Sequence, residues 1–491
     1  MGIPAVLVKK ATSGGSPALI STQGVLAIIA SASTGTALPP TMLTNQTLTV
    51  ASFGSGMLPE CAVYDINVSS NPCVGLAVAP SVAGIYGAIT KSIASTGTVV
   101  AGATQPLLHY NYTVTVVNGF TAGVTGGTVT WSVDGGNTVN GPLAVGTALT
   151  LTLPGTGVSF AIANIFTAGD FWTGFTERPL LNNADVATAI ATLGNTKLPW
   201  EGVIIDCQYG TGTVSLIDTW LAGREANGQF NFAIINTRFL LEPCPTGEAP
   251  SVYAAAMIAA TGQDASDRMC VCADGGRMTS LITGFTTKFP TSLALAAMAM
   301  SLTPNIATDP AYVGNGPVEG FAISGNSNPL DWDEFLYQSL DSQRLTTLRT
   351  FATGGPVGTF ITDANVLISS GSNIYWLQLL RVLNKACSIA WQILNTQLSK
   401  GVRTVYNATT GAINIDPRDA QTIEGLVGGP LVSGLAGQCT AAGFSMHRDD
   451  NLTTPKAPVN CEVEVDPLVY LKNIVVTASL VKTISAPLGG A

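Results

Sequence analysis

Two histidines are the only side chains in this 491-residue chain that would ordinarily titrate near neutral pH, and neither stands in a catalytic setting. His109 lies in Leu107-Leu108-His109-Tyr110 and His447 in Met446-His447-Arg448-Asp449. A hydrolase needs a base oriented on a nucleophile, and no Gly-x-Ser-x-Gly elbow accompanies either one. Cys270-Val271-Cys272 is a Cys-x-Cys, without the second pair or nearby histidine that a zinc or redox site requires. Asp331, Asp333 and Glu334 lack a calcium-loop glycine and fit a helix N-terminus, where carboxylates oppose the dipole. Asp274-Gly275-Gly276-Arg277 is a turn, not a phosphate cradle. These residues support no enzyme, no metal and no cofactor.

Composition points to association instead. Only 10% of residues are charged, against roughly 25% in an ordinary soluble protein, and the net charge is −9. A lone subunit so poor in charge is badly solvated, so much of its surface is expected to be covered by other copies of itself. The competing class is a secreted β-rich adhesin or surface-layer protein with a Ser/Thr/Gly surface. An acidic chain with no basic stripe is not expected to bind nucleic acid. No apolar run reaches the length of a membrane helix, so no membrane insertion is expected. Lys9-Lys10 stand too far from the short apolar core 25–30 for a signal peptide, which reads as a buried strand in a protein made in the cytoplasm.

Nine cysteines cannot all pair within one chain. Cys387 and Cys461 fall on apolar stripes and read as buried. Cys73, Cys244, Cys270 and Cys272 sit in turn-like or polar contexts and are the candidates for disulfides between copies outside the reducing cytoplasm.

At this length three or four domains are expected. An α/β piece opens with a strand ending in the Gly54-Ser55-Gly56 turn, a helix over 57–68 and a strand over 73–78. From 84 to 176 the runs at 112–117, 128–133, 148–153 and 158–162 alternate strongly between turns, which predicts an inserted antiparallel β-sandwich. The α/β alternation returns with helices over 184–193, 213–224 and 292–302 and strands over 202–206, 230–235 and near 268–272, implying a parallel or mixed sheet with helices on its faces. A loop over 314–329, a helix over 331–348 and a strand over 366–370 lead to the C-terminal unit.

In that unit Trp376, Leu380, Leu383, Cys387, Ala390, Leu394 and Leu398 form one helical stripe, with Gln378, Arg381, Lys385, Ser388, Gln392 and Asn395 opposite and Gly401 beyond the end. Ile413 and Ile415 mark a short strand, and Asp416-Pro417 opens a second helix with Ala420, Ile423 and Val427 on its apolar face. Val459, Cys461, Val463 and Val465 alternate with polar residues in a half-buried strand. The chain carries an apolar strand near each end: Ala5, Val6, Leu7 and Val8 before a Ser/Gly-rich stretch, and 471–484 with Ile474, Val476, Ala478 and Leu480. Unpaired apolar strands of this kind suit strand addition between subunits.

The order of these C-terminal elements, with Gly411-Ala412-Ile413-Asn414-Ile415-Asp416-Pro417-Arg418-Asp419-Ala420 opening the second helix, resembles the tail sheath proteins of contractile-tailed bacteriophages. Phe53-Gly54-Ser55-Gly56-Met57-Leu58 followed by Asn71-Pro72-Cys73-Val74, the α/β repeat over 182–239, and a β insertion carrying Ser132-Val133-Asp134-Gly135-Gly136 and Phe166-Thr167-Ala168-Gly169-Asp170 agree with that pattern. Gly428-Gly429-Pro430 departs from it and is expected to interrupt the second helix.

The resemblance implies an α+β multidomain protein. It would have an N-terminal linker arm (1–20), a subtilisin-like α/β core (21–83 and 177–370) and an inserted outer β-sandwich (84–176). A tube-facing α+β domain (371–470) and a C-terminal strand and arm (471–491) would follow. It further implies stacked hexameric rings of this chain in a virion tail assembled in the host cytoplasm, with the tail tube, baseplate and tail terminator proteins as partners and no cofactor. Arg381, Lys385, Gln392, Arg418 and Glu424 become tube-facing candidates. The sheath of a phage-tail-like particle or injection system would look alike in sequence.

Overall fold

The computed structural model describes residues 23–92, 94–240, 248–262, 264–322, 338–351, 356–368, 373–398, 401–453 and 458–470, with the backbone of 9–10 and 12–13. The apolar arm residues Ala5 to Val8 and Ile474, Val476, Ala478 and Leu480 lie outside the described residues, as do Cys244 and the Asp331, Asp333, Glu334 cluster.

The core is a seven-stranded sheet in the order Leu345–Thr346, Met269–Cys272, Phe232–Asn236, Gly202–Ile205, Leu26–Ala30, Cys73–Ala77, Thr41–Leu43. All neighbours pair in parallel except the last, an antiparallel edge. Its central strands are apolar throughout because helices cover both faces. Alternation splits each strand between two cores: Leu26, Ile28 and Ile234 face one side, Ala27, Ile29 and Ile235 the other. The first side is covered by α1 (Gln46–Phe53), α2 (Met57–Ser69) and α6 (Thr291–Ser301), the second by α3 (Asn183–Gly194), α4 (Thr213–Glu225) and α5 (Pro250–Thr261). Every residue of α6 from Thr291 to Met300 is buried, which explains a helix with no polar face. Asn182 and Asp185 close a capping box on α3.

The strand expected to end at Gly54 is instead α1. Asn45 caps it by accepting from the Leu48 N–H, and Gly54 ends it at φ 67°. The β-branched run Thr47-Leu48-Thr49-Val50 favours a strand locally, but burial of Phe53 against Gly75 fixes the helix. A Cβ at Gly75 would stand 2.9 Å from the Phe53 ring, so the contact requires glycine there. The helix expected over 331–348 is described only as α7 (Gln338–Ser342), since Arg344 adopts φ 62° and Leu345–Thr346 and Leu348–Arg349 are strands. No strand forms at 366–368, where Val366 and Leu367 are buried in irregular backbone.

Between Ile85 and Glu177 the chain forms an antiparallel sheet in the order Asn140–Val145, Gly127–Ser132, Tyr110–Asn118, Phe171–Glu177, Ile85–Tyr86, with Thr90–Ser92 also on Phe171–Glu177. A second sheet joins Thr150–Thr152, Ser159–Ala163 and Thr98–Ala101. Tyr112 and Trp172 from the first sheet pack on Phe160 from the second, at ring separations of 4.9 and 5.8 Å. His109 is buried between Phe175 and Phe239, a packing position rather than a reactive one.

Two acids are buried between α2 and its surroundings. Glu60 is 2% exposed and accepts from Ser280 Oγ at 2.7 Å, and burial pushes its carboxyl up to about 7. Among the described residues Asp65 has no hydrogen-bond partner for either oxygen, and burial raises it well above the carboxylate range. A carboxyl whose pKa rises on folding stabilises the fold below its unfolded value, and that contribution is lost as pH climbs through the folded one. Glu60→Gln is therefore expected to match the natural chain below pH about 4.5 and to be more stable at pH about 8, by up to roughly 3 kcal/mol. Thermal melts across that range check this; melting curves that stay parallel at every pH contradict it.

Candidate assembly interface

The helix α8 (Leu377–Gln397) runs out of the core into the C-terminal unit. Leu377 and Leu380 belong to the main core, whereas Cys387, Ala390, Trp391 and Leu394 belong to the C-terminal one. Its polar stripe is not a solvent face over its whole length. Gln378 is fully buried, and Arg381 is 1% exposed. Arg381 Nε donates to Glu201 Oε1 at 2.6 Å, Nη2 donates to Oε2 at 3.0 Å, and Nη1 donates to the Ala299 carbonyl. Glu201 Oε2 also accepts from the Gly24 N–H. The tube-facing assignment of Arg381 is thus corrected: the side chain is an internal clamp joining α8, α6 and two core strands. The stripe pattern could not reveal this, because an arginine flanked by Leu380 and Val382 reads the same whether its partner is water or a buried carboxylate.

The second helix, α9 (Pro417–Gly434), starts as expected, with Asp416 accepting from the Arg418 N–H and Pro417 in the first turn. Gly428-Gly429-Pro430 does not interrupt it. Pro430 lacks the N–H that an interior residue would donate four residues back, yet Val427 and Leu431 are both fully buried on either side, and their packing holds the helix through it. Arg418 is exposed, Lys385 and Gln392 are half-buried, and Glu424 is engaged within the unit by Arg448 at 2.8 Å and the Met446 N–H at 2.9 Å.

Against these helices lies a two-stranded ribbon, Ala441–Met446 paired antiparallel with Cys461–Asp466. Cys461, Val463 and Val465 pack on the α8 and α9 side; Glu462, Glu464 and Asp466 face solvent. Among the described residues neither outer edge of the ribbon has a ladder partner. The Lys9–Lys10 strand runs alongside Cys461–Asp466 with Cα separations of 8 Å or less. An edge without a ladder partner is able to accept a further strand.

The cysteine expectation is overturned for the described candidates. Cys73, Cys270 and Cys272 are fully buried in the central sheet, and burial raises each thiol. A thiol inside the core cannot meet one on another copy. Polar neighbours misled the sequence-based expectation: Arg268 and Asp274 beside Cys270 and Cys272 are themselves buried, and half-buried Asn71 precedes a strand that turns Cys73 into the core. Cys439 and Cys461 are the half-exposed thiols among the described residues, and His447 is exposed beside Glu462 at 3.1 Å. Among the described residues no group of three His, Cys, Asp or Glu is placed to hold a metal, and no helix is long and apolar enough to cross a membrane.

Removing one member of a buried ion pair strands the other, at a typical cost of about 3–5 kcal/mol. Arg381→Met and Glu201→Met are each expected to destabilise by that order, while the Arg381→Met/Glu201→Met double variant recovers a large part of the loss. Denaturant titration of the set checks this; strictly additive losses contradict the clamp.

No protein-family model matches the chain, and no curated protein is similar to it in sequence. Solved structures do match its fold. The helical sheath of the anti-feeding prophage in its contracted state aligns over 98% of this chain and 99% of that one, at 8% identity and a TM-score of 0.50. The sheath tail protein of Desulfitobacterium hafniense aligns over 92% and 98%, at 9% identity and a TM-score of 0.44. That of Listeria innocua aligns over 91% and 96%, at 10% identity and a TM-score of 0.43. The chain has the fold of a contractile-sheath subunit.

Proposed function

We propose that this chain is the subunit of a contractile tail sheath, polymerising as stacked six-membered rings around a tail tube and shortening to drive that tube through a host envelope. The observation that carries this reading is the C-terminal ribbon. Among the described residues neither of its outer edges has a ladder partner, in a chain whose sequence holds an apolar strand near each end. Each end strand (Ala5 to Val8, and Ile474 to Leu480) extends the ribbon of a different neighbour, so the lattice stays connected while subunits shift. Contraction draws on the difference between two packings of the same surfaces and needs no cofactor. The low charge content supports extensive coverage by like copies.

In this arrangement α8 and α9 lie toward the tube, with Lys385, Gln392 and Arg418 as contact residues, and the β-rich region between Ile85 and Glu177 is an inserted domain on the outside. Partners are the tube, the baseplate and a terminator at the tail end. A phage-tail-like injection particle is the second reading, favoured by the likeness to the sheath of the anti-feeding prophage. A secreted β-rich adhesin fits poorly with a parallel core sheet flanked by helices.

Negative-stain microscopy of the purified full chain is expected to show hollow tubes or stacked rings with sixfold end views. Deleting residues 1–10 is expected to leave the circular dichroism and melting temperature unchanged and to abolish the tubes. A deleted chain that polymerises like the natural one contradicts strand addition at this end.

A further inference from the structure

The two strands of the C-terminal ribbon differ in charge. On its solvent face Cys461–Asp466 carries Glu462, Glu464 and Asp466 at alternate positions. The residues paired with them on the other strand, Ser445, Gly443 and Ala441, are small and uncharged. Among the described residues Glu462 has one ionic partner, His447 at 3.1 Å, and Glu464 and Asp466 have none. Like charges along one strand repel, so a strand added at this edge is favoured when it brings positive charge. The Ala441–Met446 edge has no such preference.

The chain has few cations to bring. Lys9 and Lys10 directly follow the apolar run Ala5 to Val8, and no other Lys or Arg occurs before Lys91. Successive residues of a strand face opposite ways, so a Lys-Lys pair puts one ammonium on the acidic face in either register. The second is on the face of Val463 and Val465, where a long side chain at a sheet edge carries its charge out to water. The run from Ile474 to Leu480 near the other end of the sequence is uncharged, and suits the uncharged edge.

The structure brings the basic pair and the acidic strand together. Lys9–Lys10 runs alongside Cys461–Asp466 within the same chain, with Cα separations of 8 Å or less. Its ladder partner is Thr12–Ser13, not Cys461–Asp466, so the arm rests beside the edge without being bonded into it. Exposed charge pairs contribute weakly, which makes such a seat easy to exchange.

We propose that Cys461–Asp466 is the receptor strand for the N-terminal arm, Ala5 to Lys10, with Glu462, Glu464 and Asp466 recognising Lys9-Lys10, and that a free subunit seats its own arm there and exchanges it for a neighbour's on assembly. The exchange swaps one identical element between copies, so contacts given up within a subunit are regained between subunits. A seated arm also shields an edge that would otherwise pair indiscriminately. The exchange rests on the strand addition proposed above; the seat within one chain does not.

The test uses the full chain, diluted until it sediments as a monomer, and a dye-labelled peptide spanning residues 2–13. In the Lys9→Glu/Lys10→Glu chain the arm is repelled from its seat, and fluorescence anisotropy is expected to show the peptide binding in its place. The natural chain, whose own tethered arm competes, is expected to bind the peptide about ten-fold more weakly. Adding Glu462→Gln/Glu464→Gln/Asp466→Asn to the Lys9→Glu/Lys10→Glu chain is expected to weaken binding by about ten-fold, and so is replacing both lysines of the peptide with glutamine. No binding to the Lys9→Glu/Lys10→Glu chain, or binding indifferent to either set of charges, overturns the receptor assignment. Equal affinity of the natural and Lys9→Glu/Lys10→Glu chains overturns the seat in the free subunit. Because every measurement is made on the monomer, its outcome is separate from whether tubes form.

Discussion

The ion pair of Arg381 with Glu201 is the joint on which the subunit's mechanics depend. It sits where α8 leaves the core, with its charges removed from water, and draws the Ala299 carbonyl and the Gly24 N–H into the same cluster. Such a pair contributes little net stability over a well-packed apolar substitute, but it tolerates only one geometry. A long helix that is half core and half C-terminal unit, pinned at the crossing, makes the two parts move together. In the proposed sheath, a fixed crossing would let the two parts shift as one body.

The periphery is built on the opposite principle. The ribbon Ala441–Met446 with Cys461–Asp466 packs on one face, and among the described residues neither of its outer edges has a ladder partner. Edges without a ladder partner and a surface poor in charge are what contact with other copies would cover in the proposed assembly.

Much of this was legible in the sequence wherever a local pattern and the tertiary outcome agreed. The near-continuous apolar strands of the core, the helix α3, the capped start of α9, and the alternating strand at Cys461–Asp466 were read directly. The failures share a cause. α1 was missed because burial of Phe53 overrode β-branched propensity, and α9 runs through Gly428-Gly429-Pro430 because Val427 and Leu431 are held by packing. Arg381 and the core cysteines were misplaced because a one-dimensional stripe does not show whether a polar position meets water or a partner 180 residues away. Of the cleft where the core meets the C-terminal unit, the sequence showed only the polar stripe of α8, since its other residues come from segments distant along the chain.

High-resolution electron cryomicroscopy of the assembled particle tests the central claim most directly. The account predicts that both edges of each ribbon carry strands from other copies, one from residues near each chain end, with Arg381 and Glu201 still paired inside every subunit. Ribbon edges left bare in an ordered assembly, or a broken Arg381–Glu201 pair with the two units rotated apart, would contradict it.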